Sequence, residues 1–246
     1  MLSTAARVYR ETRKKNDQLW NVYVMRPLAA GVVAAVHRTG ITPNQVTLAN
    51  LAVFVVAAGL LVALPTWQGG VIGVLVLEAS YCLDCADGML ARWKKLASKA
   101  GHLFDFFTDE LKAVLLVGAL SVRMWRTGGL GLDATSWAAG DARFLLTGIV
   151  GVTIIASAIS LTNFVRSPEL SGKATTVEAY YETVEQKQSV GALVATFLRF
   201  LNHYPSHIWI WALASRLPGY MWLWFALNLL YLGRGWLGLL LRFGRS

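Results

Sequence analysis

Residues 70–122 read GVIGVLVLEASYCLDCADGMLARWKKLASKAGHLFDFFTDELKAVLLVGALSV. Two apolar runs stand in this stretch, 70–90 and 103–122, each close to the roughly 20 residues that a membrane-crossing helix needs. The seven residues 93–99 between them form a short basic turn, so the stretch predicts a helical hairpin. The two helices or their ends carry Glu78, Asp84, Asp87, Asp105, Asp109 and Glu110, six of the 14 acids in the chain. Asp84 and Asp87 are three apart and share a helix face, which Gly88 and Ala91 extend with almost no side chain. Asp105 and Asp109 are four apart, with Gly101 one turn earlier on the same face. The turn brings these faces together, and four carboxylates meet at one end of the hairpin.

The chain has 246 residues, of which 55% are hydrophobic and only 15% charged, against about 25% charged in soluble proteins. That excludes disorder, collagen and a soluble nucleic-acid-binding arm despite the net charge of +9. The only cysteines, Cys82 and Cys85, form no secreted disulfide framework. The N-terminus lacks the continuous apolar region of a signal peptide. Further apolar stretches lie at 19–36 (interrupted by Arg26 and Pro27), 46–64, 144–165, 189–217 (interrupted by Pro205) and 220–241.

Lys and Arg favour cytoplasmic loops. The segments 1–43, 92–99 and 166–188 and the tail hold sixteen of them, against Arg123, Arg126, Arg143 and Arg216 in the opposite loops. Both ends are therefore expected in the cytoplasm, with an even number of crossings. The expected fold is an all-α polytopic membrane helix bundle of about six transmembrane helices preceded by an amphipathic surface helix. Residues 1–38 would be that juxtamembrane helix and 39–246 the membrane domain. The alternative lets 19–36 span and gives 189–217 a single crossing.

Ionisable groups at membrane depth are costly and mark function by default. Four carboxylates do not crowd together uncompensated, and the nearby cations Arg92 and Lys112 are too few to balance them. Hard divalent cations do it better: Mg²⁺ or Mn²⁺ takes oxygen ligands, often with substrate phosphates among them. Spacing alone leaves a proton relay or a transporter's ion path open. Gly88 and Gly101 cost helix stability, and with Ala91 they open the helix backbone to a large group. Arg92 stands beside the acids as a bidentate phosphate donor. Together these favour a pyrophosphate site.

The pattern Asp84-x2-Asp87-Gly88-x2-Ala91-Arg92-x8-Gly101-x3-Asp105-x3-Asp109 resembles the complete signature of the CDP-alcohol phosphotransferase family. Thr42-Pro43-Asn44-x2-Thr47, ahead of the 46–64 span, is similar to the family's N-terminal segment. The resemblance implies cleavage of a CDP-linked donor, transfer of a phospho-alcohol group to a hydroxyl, and release of CMP. It implies two Mg²⁺ or Mn²⁺ ions held by Asp84, Asp87, Asp105 and Asp109, with Asp109 also the base. Asp84, Gly88, Ala91, Arg92, Gly101 and Thr47 would line the donor site. The donor implied is CDP-diacylglycerol, in an enzyme of the bacterial inner membrane whose active site faces the cytoplasm. The acceptor is expected to be a small alcohol, and Arg166, Lys173 and Lys99 could bind an anionic one such as inositol phosphate or glycerol phosphate. The alternatives are a CDP-choline or CDP-ethanolamine enzyme acting on diacylglycerol and, from another class, a cation or proton transporter. No internal repeat supports the transporter.

Other features are expected to be structural. Cys82 and Cys85 have no second ligand pair for zinc. Glu78 is expected to pair with a buried cation such as Lys112. His102 is a bystander, and His203 and His207 flank Pro205 and make no metal pair. The Trp-rich tail fits interfacial belts, and Gly235-x2-Gly238 suggests helix packing and a homodimer face. No nucleic-acid partner is expected.

Overall fold

A computed structural model of the chain describes residues 2–13, 17–129, 138–167, 197–198 and 200–243. Among them there is no strand. The helices are α1 (Leu2–Thr12), α2 (Arg26–Val36), α3 (Pro43–Ala63), α4 (Trp67–Trp93), α5 (Lys99–Thr127), α6 (Ala142–Arg166), α7 (Ile208–Leu213) and α8 (Leu217–Phe243). A π-helical turn, Asn21–Met25, runs into α2, and a 3₁₀ turn, Tyr204–Ser206, precedes α7. Among the described residues, four helices, α3, α4, α6 and α8, are long and apolar enough to cross a membrane, since about 20 residues at 1.5 Å rise span the hydrocarbon core.

Helix α5 has 29 residues, seven of them Lys, Arg, Asp or Glu. Its middle is apolar and buried through Leu116, Val117, Ala119 and Leu120. Asp105 and Asp109 stand in the first half, Lys112 lies at the midpoint, and Arg123 and Arg126 stand near the other end.

Local chemistry sets the boundaries. Thr42 and Gln45 form a capping box at the start of α3, with Pro43 in the first turn where its missing N–H costs nothing. Ser98 Oγ accepts from Gly101 N at 3.0 Å and starts α5. Helix α4 stops where Lys95 takes a left-handed conformation at φ 57°, and Leu96 N donates to Ala91 O at 2.8 Å. Lys94 Nζ then donates to Thr39 O and Ile41 O, both at 2.8 Å, and so ties the hairpin turn to the α2–α3 connection.

The expected single helix over residues 1–38 is divided in two. Asp17 starts a new helical segment by accepting from Gln18 N at 2.9 Å and Asn21 Nδ2 at 2.8 Å, and it pairs with the buried Arg26. The π turn ahead of Pro27 widens the helix where proline has no N–H to give. The apolar face of α1 is also used within the protein: Val8 is fully buried against α2 and α4, in a cluster with Met25, Ala29, Val33, Met89 and Leu90.

A second, larger core joins α3, α4, α5, α6, α7 and α8 through Phe54, Leu61, Leu77, Leu116, Ile155, Ile208 and Tyr220. Helix α4 belongs to both cores. Part of the Trp-rich tail lies inside this one: Trp211 and Trp224 pack around Tyr220 at centroid distances of 6.4 and 6.0 Å. A Cβ on Gly235 would come within 2.5 Å of Leu161, so this glycine serves the α6–α8 contact. Leu75, Leu103, Leu146, Ile149, Leu230 and Leu240 point outward, as expected of surfaces facing lipid tails.

Candidate active site

The four signature aspartates come together where α3, α4 and α5 meet. Asp84, Asp105 and Asp109 each offer an oxygen such that the three oxygens lie within 4.8 Å of one another. Asp87 stands outside that trio, one turn further along α4, and its Oδ2 accepts from Thr47 Oγ1 at 2.7 Å. The donor set is all oxygen, which suits a hard divalent cation such as Mg²⁺ or Mn²⁺.

Helix α3 orders the α4 acids from behind. Asn50 Nδ2 donates to Asp84 Oδ1 at 2.9 Å, while Asn50 Oδ1 accepts from Ser80 Oγ at 2.5 Å. Lys112 reaches the cluster from the interior of α5. Its Nζ lies 2.6 Å from Asp84 Oδ1 and 2.7 Å from Asp109 Oδ1, with the side chain only 2% exposed. Asp109 is the outermost member, with its side chain 51% exposed, whereas Asp87 is buried at 4%.

A cleft opens beside the acids, lined by Asn44, Thr47, Asp87, Gly88, Ala91, Arg92, Ser98, Gly101, His102 and Asp105 among others. The two signature glycines act differently there. A Cβ on Gly88 would sit in ordinary contact with the Arg92 guanidinium, 3.5 Å from Nη1 and 3.9 Å from Nη2, so this position faces the arginine without crowding it. A Cβ on Gly101 would press on Ser98 Oγ at 3.1 Å and Asn44 Oδ1 at 3.3 Å, so this one is needed for the close approach of α5 to α3. Arg92 Nε donates to Thr12 O at 2.9 Å, which fastens the last turn of α1 to the signature arginine.

The structure thus brings Thr47, Asp84, Asp87, Gly88, Ala91, Arg92, Gly101, Asp105 and Asp109 to one place. Lys99 is exposed at the first turn of α5, outside the cleft. Lys173 and the side chain of Arg166 lie outside the described residues. The expected Glu78–Lys112 pair is corrected: Lys112 serves Asp84 and Asp109, and Glu78 Oε2 accepts from Trp20 Nε1 at 3.4 Å. Asn50, Ser80 and Lys112 were not anticipated as site residues. Only Lys112 carried a signal, a lone cation three residues beyond Asp109 in an apolar run. Cys85 packs in the α1–α2–α4 core. His203 bonds Tyr81 and Ser206, and His207 bonds Leu201 O, so the two histidines serve separate networks.

No curated protein sequence matches the chain. Residues 40–218 match the family model for CDP-alcohol phosphatidyltransferase, a span that begins just before the Thr42–Gln45 capping box, contains the hairpin and covers well over half of the chain. This replaces the transporter reading with an enzyme, an integral membrane transferase of phospholipid biosynthesis. The matched span contains the acids that α4 and α5 bring together, and the chain belongs to the CDP-alcohol phosphatidyltransferase family.

Proposed function

We propose that the enzyme transfers a phosphatidyl group from CDP-diacylglycerol to the hydroxyl of a small alcohol and releases CMP. The observation that carries this is the trio of carboxylate oxygens within 4.8 Å, set beside a cleft whose walls are backbone at Gly88 and guanidinium at Arg92. Asp84, Asp87, Asp105 and Asp109 would hold a pair of Mg²⁺ or Mn²⁺ ions. When bound, these would neutralise the pyrophosphate and stabilise charge on its oxygens.

The protein's own groups do the rest. Gly88 and Ala91 leave space for the CDP moiety, Gly101 lets α5 close on α3 beside it, and Thr47 holds Asp87 from α3. The terminal nitrogens of Arg92 bond a phosphate, while its Nε stays anchored on Thr12 O. Asp109 is the acid most open to solvent, which suits the group that must meet an incoming acceptor. It takes the acceptor's proton as the acceptor oxygen bonds the lipid-side phosphorus, and the bond from that phosphorus to CMP breaks. Lys99, Arg166 and Lys173 are the proposed contacts for an anionic acceptor such as inositol phosphate or glycerol phosphate. The charge asymmetry of the loops supports placing this end of the bundle on the cytoplasmic side of a bacterial inner membrane.

The test is CMP release by the purified protein with CDP-diacylglycerol and Mg²⁺ or Mn²⁺, across inositol, inositol phosphate, glycerol phosphate, serine, choline and ethanolamine. Metal-dependent release with one alcohol, abolished in Asp109→Asn, is the expected result. Release only from CDP-choline or CDP-ethanolamine with diacylglycerol would reverse the roles of donor and acceptor. No release in either arrangement would overturn the reading.

A further inference from the structure

Lys112 is a fully buried ammonium in the middle of a membrane bundle, and neither the signature nor the cleft requires it. Burying a lone charge at that depth is strongly unfavourable, and buried ion pairs in general return little net stability over an apolar side chain of similar volume. Its contacts are specific: Asp84 Oδ1 at 2.6 Å from α4 and Asp109 Oδ1 at 2.7 Å from its own helix.

Orientation alone does not account for it. Asp84 already has the Asn50 amide on the same oxygen, and that amide is fixed in turn by Ser80. Asp109 is half exposed and reaches water. What Lys112 adds is charge. Without it, Asp84 and Asp109 would lose the ammonium that they share, with Asp105 beside them and Asp87 one turn away.

We propose that Lys112 is a built-in place-holder cation. With no metal bound, its ammonium holds Asp84 and Asp109 in the arrangement that ligands need. When a divalent ion enters, the ammonium gives up at least one of these oxygens, so the two cations compete for the same carboxylates. This inference rests on the metal centre proposed above and goes beyond it by assigning a role to a residue outside the signature.

The experiment is Mn²⁺ binding to the full-length protein in lipid nanodiscs after stripping with EDTA, with free Mn²⁺ read by electron paramagnetic resonance. It compares the unsubstituted protein with Lys112→Met and with Lys112→Gln, which keeps a hydrogen-bond donor but no charge. Removing a competing positive charge within contact distance of the ligands is expected to tighten Mn²⁺ binding on the order of tenfold or more. Thermal unfolding midpoints should fall in EDTA for both variants and recover in saturating Mn²⁺. Unchanged or weaker Mn²⁺ binding, equal destabilisation with and without Mn²⁺, or failure of both variants to fold with Mn²⁺ present would each overturn the proposal, because a place-holder is dispensable once the metal is in. Absence of Mn²⁺ binding in the unsubstituted protein would instead overturn the metal centre, and this role with it.

Discussion

The bundle carries charge at both of its ends, and the two ends use it in opposite ways. At the far end, Arg123 Nη1 donates to Leu61 O at 3.1 Å and Leu64 O at 2.7 Å, and Nη2 donates to Thr66 O at 2.5 Å. Arg126 adds bonds to Val62 O and Ala63 O. These two side chains of α5 cap the last turn of α3, whose carbonyls have no partner within their own helix. Gly70 leaves the space for Arg123, since a Cβ there would lie 2.8 Å from Nη2. At the signature end, acids outnumber the one buried Lys, and a cleft remains open beside them. A charged group inside a membrane protein therefore marks a ligand site when the protein leaves charge uncompensated. Where backbone carbonyls absorb the charge completely, it is a structural joint.

Substitutions at the two ends should separate these roles. The largest effect is expected from Asp109→Asn: loss of a general base costs about a hundred- to ten-thousandfold in rate, read as CMP release, with the thermal midpoint little lowered. Arg123→Met should do the reverse. It leaves several carbonyls at the end of α3 without donors, at about 1–3 kcal/mol for each one that is buried. Its unfolding midpoint should drop while turnover per folded molecule stays unchanged; lost turnover in the folded fraction would mean that the two ends are coupled.

Gly88→Val narrows the cleft and is expected to cost about 1–3 kcal/mol of donor binding, roughly ten- to a hundredfold in KM, with kcat less affected. A variant with unaltered KM would show that the donor lies elsewhere. The smallest effect concerns the latch between the N-terminal segment and α2. Burial by itself would raise the Asp17 carboxyl, but the Asn21 amide and the Arg26 guanidinium outweigh it and hold it below the ordinary carboxylate range. Its stabilisation is thus present above the unfolded value of about 3.9 and fades as pH falls through the lower folded value. Unfolding midpoints taken from pH 6 down to pH 2 should decline more in the unsubstituted protein than in Asp17→Asn; parallel curves would assign the decline to other acids.

Much of the site was legible because it is local. Spacings of three and four place Asp84 with Asp87 and Asp105 with Asp109 on single helix faces, whatever surrounds them. The turn read over 93–99 matches α4 ending at Trp93 and α5 beginning at Lys99. The apolar run places the start of α3 at 46, with Thr42, Pro43 and Asn44 ahead of it; the capping box of Thr42 with Gln45 sets it at Pro43. The reading failed where a side chain chooses its partner across many residues. Lys112 could face Glu78 or Asp84, both on α4, and the packing of α5 against α3 and α4 decides for Asp84, 28 positions away. Arg123 and Arg126 read as loop charges because nothing near them in the chain shows that α3 ends beside them.

By itself, then, the amino-acid order determined an apolar helical bundle, the hairpin, and which acids and glycines share its inner face, because helix periodicity and membrane partition act over a few residues at a time. Tertiary structure alone decided which cation compensates which acid, that Arg92 is anchored on the last turn of α1, and that the helix expected over residues 1–38 stops at Thr12. Each of these is a contact between segments whose relative placement comes from burying two apolar cores around α4, and no local pattern encodes that placement.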